Sequence, residues 1–378
     1  MKNLENYIIK VRRHLHHNPE TGFNCKNTSA FIREELEKIG VDKIENAGKF
    51  SLVATVRNGK GRTIGLRADF DALNIEEETN LEFSSQNKGV MHACGHDSHT
   101  AMLLGACKYL VENKDLWSGS LKFIFQEAEE GPDPGGAHYI VESGLVNDVD
   151  EFFALHVSPG FSTGELAINY NDALAAADTF KIEFIGVGAH AAYPHLGVDP
   201  IMMQADFIMS LQTIVSRKVN PFDTAVVTVG EVKSGTTFNI IPENAFLQGT
   251  VRTFSEEVRA FIEKDLENLA ENIAKSYGGK VKFNYIRGYD PTVNNVESTD
   301  KVIASAQDIF DKITVLKEAS MGAEDFSRYI NLKKGAIAWL GVKHQNQENH
   351  NIHNSKFNLN EEALIKGTKL FINIVKKG

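Results

Sequence analysis

Three cysteines in 378 residues, Cys25, Cys94 and Cys107, are too few and too odd in number for the disulfide framework of a secreted domain. No segment reaches the roughly 18 uninterrupted apolar residues that a membrane-spanning helix needs, and no internal repeat or low-complexity tract is present. A basic tract is missing too: 40 Lys and Arg against 50 Asp and Glu give a formal charge of −10. That balance makes phosphate backbones and anionic membranes poor partners and leaves a small molecule or peptide as the expected substrate. The opening stretch carries Glu5, Arg12, Arg13 and several histidines, unlike the apolar stretch of a signal peptide, so the expected location is the cytoplasm. A hydrophobic content of 42% over this length predicts two domains, because single cores stop growing at about 250–300 residues.

The densest chemistry lies in Met91-His92-Ala93-Cys94-Gly95-His96-Asp97. Cys-x-His sets a soft thiolate and a borderline imidazole two residues apart, a pairing that a zinc-type divalent ion prefers. Cys25 and Cys107 have no such neighbours and are expected to be bystanders. His92 and His99 are ligands by type but lack the spacing, which points to a supporting or surface role. Asp97 precedes a helical pattern, where it is placed either as an N-cap or as support for the site.

The first half of the chain alternates helix and strand. Leu4, Tyr7, Ile8, Val11 and Leu15 follow a helical stripe, a second helix starts near Thr28 and stops at Gly40, and strand-like runs cover 51–57, 63–67, 121–125 and 152–157. Polar groups recur at the ends of these runs: Asp69 and Asp71, then Glu127, Glu129 and Glu130, then His156. In open α/β sheets sites form at the carboxyl ends of strands, so these loops are expected to converge. The alanine-rich stretch 171–178 reads as a linker. Beyond it, strands at 179–185, 225–231 and 245–253, a helix bearing Ile201, Ala205, Ile208, Leu211 and Val215, and a charged helix over 256–276 form a two-layer α+β unit. Strand-like 280–285, a buried strand at 335–341 and a closing helix at 361–375 follow.

Singly, each polar group has a bland reading. A Glu-Glu pair is usually a solvated acidic loop, and a histidine on an apolar strand is usually a satisfied core residue. Adjacent carboxylates at a strand end nevertheless point in different directions, so one can coordinate an ion while its neighbour takes a proton from water.

Their joint order resembles the M20 metallopeptidase and aminoacylase family, and within it the amidohydrolase branch of hippurate hydrolases, auxin-conjugate hydrolases and N-acetyldiaminopimelate deacetylases. The resemblance runs through Arg12-Arg13-His14-Leu15-His16, Arg67-Ala68-Asp69-Phe70-Asp71-Ala72-Leu73, the 91–97 cluster, Ala128-Glu129-Glu130-Gly131, Ala154-Leu155-His156, Gly188-Ala189-His190-Ala191-Ala192-Tyr193-Pro194-His195, Asn239-Ile240-Ile241-Pro242, Gly249-Thr250-Val251-Arg252, Gly322-Ala323-Glu324-Asp325-Phe326 and His353. It implies an α/β fold: a zinc-peptidase-like catalytic domain with a central mixed sheet flanked by helices, formed by 1–175 and 289–378. A ferredoxin-like α+β domain for dimerisation, 176–288, would be inserted in it.

The same resemblance implies two divalent ions, Zn, Mn, Co or Ni, with Cys94 bridging and His96, Glu130, His156 and His353 as the other ligands. Glu129 is the implied general base and Asp71 a carboxylate that orients a ligand. Asp69 takes a place where other branches carry a ligand histidine. His190 is implied to reach the partner's active site in a homodimer, with Asn239, Arg252 and Gly322 at the substrate. His195 is left on the surface, and of the two histidines in Asn349-His350-Asn351-Ile352-His353, the following Lys356-Phe357 favours His353.

Two departures stand out: Glu127 replaces the usual proline before Ala-Glu-Glu, and Asp133-Pro134 is inserted before Gly135-Gly136. An extra carboxylate there is expected to shift metal affinity or to raise the pKa of Glu129 by like-charge repulsion. The implied reaction is hydrolysis of N-acyl, especially N-acetyl, amino acids by metal-activated water. N-acetyldiaminopimelate deacetylation and a dipeptidase or carboxypeptidase activity are alternatives, and a metal-free binding protein on the same scaffold is the non-enzymatic one.

Overall fold

The helix His96–Glu112 is buried continuously from His96 to Cys107, which places it at the centre of the larger of two units. The structure is a computed structural model that describes residues 1–131 and 134–377. One compact unit comprises Met1–Ala173, Val293–Ala319 and the chain from Asp325 onwards; the other comprises Leu174–Thr292 with Ser320–Glu324.

In the larger unit an eight-stranded mixed sheet runs in the order Lys43–Ala47, Ser51–Asn58, Gly119–Gln126, Thr63–Asp69, Glu151–Ser162, Gly335–Lys343, Glu165–Asn169, Lys312–Leu316. Its four middle strands are mutually parallel; Ser51–Asn58 is antiparallel to its neighbour Gly119–Gln126, and Lys43–Ala47 is antiparallel in turn to Ser51–Asn58. Successive residues of a strand face opposite sides. Leu66, Ala68, Phe123, Phe125, Phe153 and Leu155 thus join one core with the helices, whereas Phe152 meets Tyr329 at 5.4 Å between ring centres. The first helix, Lys2–His17, buries Leu4, Ile8, Val11 and Leu15 along one stripe. Ile8 lies so close to Gly105 that a Cβ there would sit 2.6 Å from its Cγ1, so glycine lets the two helices approach. This contact seats the central helix, and with it the cluster at its N-terminus.

The smaller unit is a β-α-β-β-α-β succession folded as a four-stranded antiparallel sheet, Ala225–Ser234, Asn244–Thr253, Ala176–Ile185, Lys280–Tyr289 in spatial order. The strand Ala176–Ile185 alternates burial, with Phe180, Ile182 and Phe184 inward against Met203, Phe207, Leu211, Ile262 and Leu266 of the helices Pro200–Thr213 and Glu256–Ser276. Asp199 and Ser255 cap these two helices by accepting N–H groups at 2.9 and 3.3 Å. Among the described residues no helix is long and apolar enough to cross a membrane.

Several local expectations are corrected. The stretch 171–178 is not a linker loop but strand, Asn171–Leu174 and the start of Ala176–Ile185. Ala173, Ala175 and Ala176 are buried, and Asp178 is matched by Arg259, which donates from Nε and Nη2 at 2.8 and 2.6 Å. Val215 lies in a π-helical turn, Ile214–Lys218, rather than on the preceding α-helix. Ser320–Glu324 belongs to the smaller unit because Ala175 N–H is shared between the carbonyls of Ser320 and Gly322, both at 3.0 Å.

Candidate metal centre

Gly95 has φ +88°, in the left-handed region, and a Cβ there would come within 2.4 Å of Val157 Cγ2. Only glycine fits between Cys94 and His96, which explains how a thiol and an imidazole two residues apart turn towards one space. Gly95, not Asp97, is therefore the residue that precedes the helix. Asp97 lies inside the first turn, where its carboxylate accepts from Arg12 Nε at 2.9 Å and bonds His16 Nδ1 at 2.8 Å.

His96 Nδ1 lies 2.9 Å from the carbonyl oxygen of Asp71. A carbonyl only accepts, so Nδ1 carries a proton, and in the neutral ring Nε2 is then the lone-pair nitrogen. That Nε2 is buried and has no hydrogen-bond partner among the described residues. His156 repeats the arrangement: Nδ1 donates to Val157 O at 2.8 Å, and Nε2 faces Cys94 Sγ at 3.4 Å. His156 lies inside the strand Glu151–Ser162 rather than at its end. His353, with φ +64°, is tied by its backbone N–H to Ala93 O at 2.8 Å, and its Nε2 lies 2.7 Å from Glu130 Oε1.

Two donor triads result, Cys94 with His96 and His156, and Cys94 with Glu130 and His353, the atoms of each within 4.8 Å of one another. Cys94 belongs to both. Glu129 joins His96 and Glu130 in a third group, its Oε2 3.9 Å from His96 Nε2. The sulfur, nitrogen and oxygen donors fit a zinc-type divalent ion, and the partnerless, buried Nε2 of His96 is the atom that such an ion would satisfy. His350 stands apart, 3.9 Å from Glu348.

Electrostatics follow from burial. Burial pushes the Cys94 thiol up, opposed by the neighbouring His96 and His353. Burial, reinforced by His99, pushes His156 down to about 3, leaving a neutral imidazole, the form in which histidine ligates. His353 is raised to about 10 by its bonds to Cys94 and Glu130. Burial works against the Glu130 carboxylate, but His353 outweighs it and lowers its pKa.

Asp71 supports the same space, its two carboxylate oxygens each accepting a backbone N–H, from Glu129 and Glu130. Asp69 is fully buried and forms a further donor group with His96 and His99, its Oδ2 3.9 Å from His96 Nε2, while it accepts from Arg67 Nη1 at 2.6 Å and from His99 at 2.6 Å. Glu127 has backbone partners of its own. Its Oε1 turns to the Lys43–Ala47/Ser51–Asn58 hairpin and accepts N–H groups of Lys49, Phe50 and Ser51 at 2.8, 2.7 and 3.3 Å. Ser51 Oγ in turn accepts the Glu127 N–H at 3.0 Å. Of the Asp133-Pro134 insertion, Asp133 lies outside the described residues.

His190, Asn239, Arg252 and Gly322 belong to the smaller unit. His190 and Asn239 are exposed, the former accepting Ala192 N–H at 3.1 Å, while Arg252 bonds Thr250 and the carbonyl of Val251. Gly322 is exposed on a turn held by Ser320 Oγ at 3.1 Å, and His195 is exposed as well. Of the two roles expected for His99, supporting or surface, burial leaves the supporting one, for it is 2% exposed. Its spacing was a signal: His96 and His99 are i and i+3 on one helix and share a face.

Residues 65–377 match the model of peptidase family M20/M25/M40. The chain belongs to this family. Among curated M20 relatives it is similar to thermostable carboxypeptidase 1 of Saccharolobus solfataricus, 38% identical over 97% of this chain and 94% of the relative. It is equally similar to the N-acetyl-L-cysteine deacetylase of Bacillus subtilis, 38% identical over 100% of this chain and 89% of the relative. A solved structure, the Bacillus subtilis YXEP protein, described as a dinuclear metal-binding peptidase of the M20 family, matches with a TM-score of 0.86 at 31% identity, covering 100% of this chain and 99% of that one.

Proposed function

We propose that this M20 protein is a metal-dependent amidohydrolase that cleaves the amide bond of N-acyl amino acids, releasing a carboxylate and a free amino acid. The observation that carries the reading is Cys94 shared between two donor triads, with Glu129 beside them. Cys94, His96, His156, Glu130 and His353 would hold two divalent ions, Zn, Mn, Co or Ni. When bound, such ions polarise a scissile carbonyl and acidify a water.

Glu129 takes the proton of the attacking water and passes it to the leaving amine, the two halves of one acid–base cycle. Asp71 holds the backbone of Glu129 and Glu130 while this happens. Arg252 and Asn239 receive the substrate carboxylate, the guanidinium suiting bidentate capture, and Gly322 lines the substrate. His190 acts from the partner in a homodimer formed through the smaller unit, donating to the developing oxyanion. Exposed Met209, Leu196, Phe238 and Ile240, at 74, 68, 97 and 54% exposure, give that unit the apolar surface a partner would cover. The proposed location is the cytoplasm.

The names of the two curated relatives support amide cleavage next to a free carboxylate. The carboxypeptidase name keeps peptide substrates as a second reading of the same chemistry. Amine release from a panel of N-acetyl, N-benzoyl and dipeptide substrates tests the proposal. Activity lost to chelation and restored by a divalent ion is expected; a stoichiometrically metal-free protein with no turnover would leave a binding protein on this scaffold instead.

A further inference from the structure

Beyond the five ligand candidates lies a buried line of hydrogen bonds that ends on one of them. Arg67 Nη1 donates to Asp69 Oδ2 at 2.6 Å, and Asp69 Oδ1 bonds His99 Nδ1 at 2.6 Å. His99 Nε2 accepts the backbone N–H of Val157 at 2.9 Å, and the Val157 carbonyl accepts His156 Nδ1–H at 2.8 Å. Every member is at most 7% exposed.

The donors and acceptors fix each proton. A backbone N–H only donates, so His99 Nε2 must be the lone-pair nitrogen and Nδ1 must carry the proton given to Asp69. A carbonyl only accepts, so His156 is the Nδ1–H tautomer with its Nε2 lone pair on the Cys94 side. The sheet explains why Val157 needs these partners. The strand Thr63–Asp69 pairs with Glu151–Ser162 only as far as Arg67 opposite Ala154, and beyond that point the ladder on that edge has ended. Backbone groups left buried there must be satisfied by side chains.

We propose that His99 and Asp69 are positioning residues: through the Val157 backbone they fix the orientation and tautomer of His156. The inference rests on the reading of His156 as a ligand. Asp69 thereby has a task of its own, and Arg67 keeps it an acceptor, balanced on its other side by Asp325 at 2.8 Å.

The test uses His99→Leu, which orphans the Val157 N–H, His99→Gln, whose amide can accept from Val157 and donate to Asp69, and the isosteric Asp69→Asn. In Asp69→Asn, Arg67 claims the amide oxygen and the NH₂ turns on His99 Nδ1, forcing the wrong tautomer. Nitrogen-15 NMR of the imidazoles in metal-free protein should show His156 as a single Nδ1–H tautomer in wild type and His99→Gln, and a mixture in His99→Leu and Asp69→Asn. Divalent titration should show one site weakened about 10-fold or more in those two variants and within about 3-fold of wild type in His99→Gln, the range that outer-shell partners command. A single wild-type tautomer with both affinities unchanged in His99→Leu and Asp69→Asn would overturn the inference. Should wild type bind no divalent ion, the proposed function fails by itself, and the tautomers still decide the positioning role.

Discussion

Asp71 grips Glu129 and its neighbour through the backbone: Oδ1 accepts Glu129 N–H and Oδ2 accepts Glu130 N–H, both at 3.0 Å. One carboxylate thus sets the spacing of a proposed base and a proposed ligand, and its own carbonyl orients His96. Asp71→Asn replaces one acceptor by a donor facing an N–H. Hydrogen bonds to charged groups are worth about 1.5–3 kcal/mol, so kcat/KM should fall roughly 10–100-fold. Steady-state kinetics on the best N-acyl amino acid checks this; a change under about 3-fold would mean that the loop holds its shape without Asp71.

Glu127 separates two accounts of its charge. As a backbone anchor for the hairpin turn at 49–51, it predicts that Glu127→Ala loses about 1–3 kcal/mol in denaturant unfolding, the cost of unsatisfied buried groups. Glu127→Gln keeps an acceptor oxygen and should lose less. Neither variant should move the acidic limb of the kcat/KM pH profile. A limb displaced to lower pH in Glu127→Gln would restore the like-charge repulsion that the sequence alone suggested.

His16 joins two carboxylates, with Nδ1 2.8 Å from Asp97 and Nε2 3.2 Å from Glu77. Burial alone would raise Glu77, but its bonds to His16, Thr79 and the Ser85 N–H hold it at about 2, against an ordinary 4.5. A depressed carboxylate stabilises the fold above its unfolded pKa, and that contribution is lost as pH falls through the folded value. Wild type should therefore exceed Glu77→Gln by about 1–2 kcal/mol near pH 6, with the gap closing between about pH 4.5 and pH 2. Unfolding curves across that window check the slope; a gap independent of pH would assign the effect to packing.

Much of this was written in residue type and spacing. Cys94-Gly95-His96 carries its own geometry, since a left-handed glycine is what turns two ligand types inward, and strand-end carboxylates announced where loops meet. What escaped notice depended on backbone partners. Glu127 and Asp97 looked like neighbours of the site because sequence shows their charge and not which N–H or guanidinium claims it. The alanines of 171–178 imitated a linker because small residues suit both loops and crowded strands. For His99 the sequence left a supporting and a surface role side by side, because its partner is the Val157 N–H, a group that every residue but proline possesses.

Glu129→Gln tests the central claim most directly, because it removes a base while leaving the proposed ligands in place. Metal content and turnover should be measured on the same preparation. The account predicts about two divalent ions per chain, as in wild type, with turnover of N-acyl amino acids reduced by at least about 10²-fold, the low end for general acid–base catalysis. Wild-type turnover in a variant that keeps its metal would contradict the account.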